Sequence, residues 1–123
     1  MLTVLVGIIM LVSRISAVQS GIVKPRYFKL MKGQELPEMV AASGRNFTNQ
    51  FEVPILFYVV STLYIVLGIE NGAAIMLAWT FVASRIIHTA IHLTYNHVIH
   101  RMLVFLFGFA CVVALWVNLL LLS

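Results

Sequence analysis

Four apolar stretches, at positions 2–23, 47–69, 73–93 and 102–122, fill most of this 123-residue chain. A helix needs about 20 mostly apolar residues to cross the hydrocarbon of a bilayer, and all four stretches are of that length. Hydrophobic residues make up 62% of the sequence, against eight Lys and Arg and four Asp and Glu. Mean hydropathy is +1.03. A water-soluble domain of this size cannot cover so much apolar surface, so lipid is the expected solvent. The fold class that follows is an all-α membrane protein, a single domain over 1–123 built as a four-transmembrane-helix bundle. The single Cys111 allows no internal disulfide.

The connections set an orientation. Lys24, Arg26, Lys29, Lys32 and Arg45 lie in the first connection or at its edge, Arg101 lies in the third, and the second, Glu70 to Gly72, has only an acid. The positive-inside rule puts connections one and three in the cytoplasm and both termini on the opposite side. The net charge of +4 is therefore a topology signal, and no nucleic-acid partner is expected. The first stretch is read as a span and not as a cleaved leader, because its basic residues follow the apolar run. The sequon Asn46-Phe47-Thr48 falls on the expected cytoplasmic side, where it is a coincidence.

Ionisable groups inside a bilayer are costly and are functional candidates by default. Arg14, Glu52, Arg85 and His88 fall within the spans, and His92 lies nearer an end. Arg45, Asn49 and Glu52 stand at i, i+4 and i+7, within about 60° of one another on a continuous helix. Arg85, His88 and His92 repeat this pattern at i, i+3 and i+7, with Thr89 beside them. Arg14 or Arg85 is expected to pair with Glu52. Two intramembrane arginines against one glutamate leave a cationic surplus. Forked guanidinium donors suit carboxylates, so a small polyanion is the candidate ligand, with lipid headgroups as the competitor. His88 and His92 also have the spacing of a metal or haem pair, but neighbouring arginines repel a cation, and no metal is expected. Pro54 should kink or loosen the second helix close to Glu52. Gly108 and the Ser13, Ser16 and Ser20 face are suited to close helix packing.

The pattern Arg45-x-x-x-Asn49-x-x-Glu52 followed by Pro54, the segment "SRIIHTAIHL" at 84–93 and Arg101 at the start of the fourth span resemble the MAPEG family. These are membrane-associated proteins in eicosanoid and glutathione metabolism. The resemblance covers nearly the whole chain and is greatest to the small bacterial members. It implies a homotrimer of four-helix subunits in the bacterial inner membrane, holding glutathione between subunits near the cytoplasmic face. Carried over residue by residue, Arg45, Asn49 and Glu52 contact the tripeptide. Lys24 or Arg26 supplies a basic group at the end of the first helix. Arg85, His88 and His92 line or support the site. Arg101 matches the arginine that stabilises the thiolate in several members. The implied activity is transfer of glutathione sulfur to a small lipophilic electrophile, or thiol-dependent peroxide reduction.

Four positions depart from the family pattern. His92 and Phe105 stand where many members have tyrosine, Thr48 replaces an arginine, and Pro54 follows Glu52 more closely than usual. These departures bear on the chemistry more than on the fold. The alternative reading is a non-catalytic trimeric membrane protein that binds glutathione, lipid or another small anion.

Overall fold

The computed structural model describes residues 1–122, and their regular structure is six helices: α1 (Leu2–Gln19), α2 (Tyr27–Leu30), α3 (Glu38–Asn49), α4 (Val53–Val66), α5 (Gly72–Leu93) and α6 (Val98–Leu122). Four stretches are long and apolar enough to span a membrane: Leu2–Gln19, Glu38–Val66, Gly72–Leu93 and Val98–Leu122. At about 1.5 Å per residue these helices match a hydrocarbon core of about 30 Å. Large apolar side chains point outward along them, with Ile65 80% and Met76 73% exposed, as befits a surface that faces lipid. The protein is a multi-pass integral membrane protein.

The second stretch starts earlier than the sequence suggested and is broken. α3 ends at Asn49 and α4 begins at Val53, with Glu52 between them at φ −98°, ψ −103°. Pro54 is the cause. It has no N–H to give the Gln50 carbonyl, and its ring crowds that carbonyl. The helix restarts when Ile55 N–H reaches the Glu52 carbonyl at 3.2 Å. Glu52 therefore leaves the helical face that carries Arg45 and Asn49, and the expected i, i+4, i+7 stripe stops after its second member. α1 ends before the expected position 23, because Gly21 takes a left-handed conformation (φ 73°). α6 begins at Val98, which brings His100 and Arg101 into its first turns.

The chain divides into two compact units, Met1–Thr48 and the remainder from Asn49. In the first, Ala17, Val23 and Val40 form a small core against Tyr27, Phe28 and Leu36. Ser13 Oγ and the fully buried Ser43 Oγ lie 2.9 Å apart and tie α1 to α3. Of the expected Ser13, Ser16 and Ser20 face, only Ser13 packs in this way, and Ser16 and Ser20 are exposed.

In the second unit, α6 packs along α5 and, over a shorter stretch, against α4. Gly68, left-handed at φ 65°, ends α4, with Ile69 N–H on the Tyr64 carbonyl at 3.0 Å. Asn71 caps α5, its side-chain oxygen accepting from Ala74 N–H at 3.0 Å. Val60, Tyr64, Ala74, Leu115 and Leu119 fill this end of the unit. Tyr64 donates to Asn118 Oδ1 at 2.7 Å. Farther along, Val53, Phe81, Cys111 and Val112 form a second core, with Phe57 stacked on Phe81 at 4.5 Å.

Gly108 sets the α5–α6 distance. A Cβ there would fall 2.6 Å from Ser84 Oγ and 3.3 Å from Arg85 Nη2. The Gly108→Val variant must push the helices apart, with an expected loss of about 1–3 kcal/mol. A lowered melting temperature of the purified protein in detergent would report it.

Candidate functional site

Arg85 is the centre of the polar region in the second unit. It sits on the face of α5 turned towards α6 and is only 3% exposed. Its guanidinium lies 5.6 Å from the Phe81 ring centre and 5.3 Å from that of Phe105. Among the described residues, Nε, Nη1 and Nη2 have no hydrogen-bond partner. Two aromatic faces compensate part of the charge, but they accept none of the five N–H bonds that a guanidinium offers.

Among the described residues, the side chains named beside it add no negative charge. His88 and His92 are buried on the same face, their rings 5.7 Å apart and nearly perpendicular. The His88 ring lies 6.2 Å from that of Phe105, and its buried Nδ1 has no partner among the described residues. Thr89 is buried between the histidines and receives a bond from Gln50 Nε2 at 3.4 Å, which ties the α3–α4 break to α5.

Arg101 is positioned differently. It lies in the first turns of α6, and its Nη1 donates to Asn96 Oδ1 at 2.6 Å. Asn96 has left-handed backbone (φ 49°), and its N–H closes on the Ile91 carbonyl at 2.8 Å. The connection between α5 and α6 therefore orients the guanidinium. The N-terminus of a long helix adds partial positive charge at the same place.

Glu52 corrects an expectation. It is exposed, and its carboxylate forms neither a hydrogen bond nor an ion pair among the described residues. The Arg85–Glu52 ion pair is not made, because the break before Pro54 lifts the carboxylate off the helix that was to carry it inward. Asn49 ends α3, partly buried. Lys24, Arg26 and Arg45 are exposed side chains of the first unit. Arg85, His88, His92 and Arg101 thus share the α5–α6 side of the second unit, whereas Asn49 and Glu52 flank the break.

Sequence reasoning missed Asn96, Gln50 and the aromatic pair around Arg85. Asn96 had a usable signal, since asparagine tolerates left-handed backbone in tight connections. Phe81 stands one helical turn before Arg85, but Phe105 meets it only through the register of α6 on α5.

This is a multi-pass helical membrane protein with a buried guanidinium, unpaired among the described residues, beside two histidines and a second, clamped arginine. Its family can also be stated. The MAPEG family model matches residues 1–121, and the chain belongs to that family. Membership points to glutathione-related chemistry at a membrane. Comparison with curated proteins and with solved structures gives no match.

Proposed function

We propose that the protein is a glutathione-dependent membrane enzyme that transfers the glutathione sulfur to a small lipophilic electrophile arriving through the bilayer. The observation that carries this reading is the Arg85 guanidinium, buried with three nitrogens unpartnered among the described residues. A carboxylate-bearing ligand suits those donors, and the free Glu52 carboxylate suits an ammonium. The donor set therefore fits glutathione, which has two carboxylates and one amino group.

Glutathione, when bound, supplies the nucleophilic sulfur. The chain supplies position and charge. Arg45 and Asn49 contact the tripeptide, Glu52 meets its amino group, and Lys24 or Arg26 adds a basic contact. Arg85, His88 and His92 form the wall. Arg101, held by Asn96 at 2.6 Å, favours the thiolate over the thiol. Each pKa unit by which it does so corresponds to about 1.4 kcal/mol. We place the site at the cytoplasmic face of a homotrimer in the bacterial inner membrane, with both termini on the other side.

Thermal unfolding of the purified protein tests the ligand. Glutathione should raise the melting temperature saturably, by the equivalent of about 2.7 kcal/mol at 100 times Kd. A charge-matched tripeptide should do far less. Equal shifts from the two peptides would defeat the assignment.

One observation favours a second reading, a trimer that binds glutathione or another anion without turnover. The ring beside Arg85 and His88 is Phe105, which brings no hydroxyl to the site. A glutathione-induced shift with no conjugation of an aryl halide would support it.

A further inference from the structure

A second arginine lies within a span, far along the sequence from the cluster around Arg85. Arg14 is on α1, five residues before the last helical residue Gln19, or about 7.5 Å along the axis. Its guanidinium is 5.3 Å from the Phe28 ring centre. On another side, Nη2 lies 3.5 Å from where a Cβ on Gly44 would stand, so α3 comes close. The Arg14 side chain has no hydrogen bond or ion pair among the described residues, and its Nε is buried. A cavity of about 320 Å³ opens beside it, lined by Arg14, Ile15, Val18, Gln19 and Phe28.

The first unit also holds all of the net charge. Up to Thr48 it has six basic residues (Arg14, Lys24, Arg26, Lys29, Lys32, Arg45) and two acidic ones (Glu35, Glu38), a balance of +4. From Asn49 onward Arg85 and Arg101 balance Glu52 and Glu70. The exposed Lys24, Arg26 and Lys29 follow directly on α1.

We propose that the cavity beside Arg14 binds an anionic phospholipid, its phosphate on the guanidinium and an acyl chain against Ile15 and Val18. The depth is right, since an arginine within about two turns of a helix end reaches headgroup level by extending its side chain. The fork of the guanidinium matches phosphate oxygens. The basic segment after α1 raises the local concentration of anionic lipid. Free phosphate would leave the apolar wall of Ile15, Val18 and Phe28 uncovered, and a second copy of this unit would bring the same positive surplus. This inference does not require the glutathione reading, since Arg14 and its cavity take no part in that site.

The test uses full-length protein, delipidated in a neutral detergent. Melting temperature is followed against phosphatidylglycerol, phosphatidylcholine and inorganic phosphate at matched ionic strength, and native mass spectrometry counts retained lipid. Phosphatidylglycerol should give a saturable rise and a retained adduct, whereas phosphatidylcholine and phosphate should give neither. Arg14→Gln should weaken the apparent affinity at least about fivefold, the effect of one cation at an anionic surface, and Lys29→Gln should change it less. Val18→Trp, which fills the cavity and keeps Arg14, should also remove the adduct, and it decides the matter if Arg14→Gln does not fold. Equal shifts from phosphatidylcholine or phosphate, no shift at all, or an adduct that survives Val18→Trp would each overturn the proposal.

Discussion

Arg101→Ala is expected to lower kcat/KM for conjugation of glutathione to an aryl halide by about 10²–10³, the usual effect of removing one preorganised donor from a developing or stabilised anion. Stability should fall much less, because Arg101 is only partly buried and its Nη1 donates to the connection, at Asn96 Oδ1. The mechanism predicts a second readout. A nearby guanidinium lowers the thiol pKa of bound glutathione, so its loss should raise that pKa, by about two units for a hundredfold effect. An ultraviolet titration of the bound thiolate would measure this. Arg101→Lys keeps the charge without the fork and should fall between the two. Asn96→Gly removes the Oδ1 clamp but tolerates the left-handed backbone, so it should reduce turnover more mildly, with Arg101 still present. Wild-type turnover in Arg101→Ala, or a thiol pKa unmoved by the change, would remove Arg101 from the chemistry.

The sequence carried the architecture further than it carried the site. Four apolar runs in a chain with so few charges leave little besides a polytopic membrane protein, and the helices keep those runs with shifted ends. The shifts have local causes: Gly21 stops α1, Pro54 breaks the second stretch, and a left-handed Asn96 lets α6 start at Val98. The burial of Arg85, His88 and His92 was readable from their spacing on one face of α5. Their surroundings were not, because Phe105 reaches Arg85 through the close α5–α6 approach that Gly108 permits. The Glu52 error is the most instructive. Helical periodicity placed the carboxylate on one face with Arg45 and Asn49, but one proline two residues later ended the helix to which that periodicity applied.

Arg85→Met is expected to change stability and ligand response in opposite directions. Arg85 is a buried charge whose guanidinium nitrogens have no hydrogen-bond partner among the described residues, partly offset by Phe81 and Phe105. Methionine has a similar length, fills an irregular gap readily and has no desolvation penalty. Replacing buried ionic groups by apolar ones of similar volume is often neutral or stabilising by about 1–4 kcal/mol, so the variant should melt at or above the wild-type temperature. Glutathione should stabilise it far less. Truncating one partner of a buried charged pair costs about 2 kcal/mol or more, which is at least about 30-fold in Kd. A purely structural arginine predicts otherwise: the variant would lose stability and keep its glutathione-induced shift. Melting curves of both proteins with and without glutathione separate the two outcomes. The same pair of measurements bears on the unpartnered donors themselves, since a ligand that satisfies them would offset the cost of an arginine inside a membrane helix.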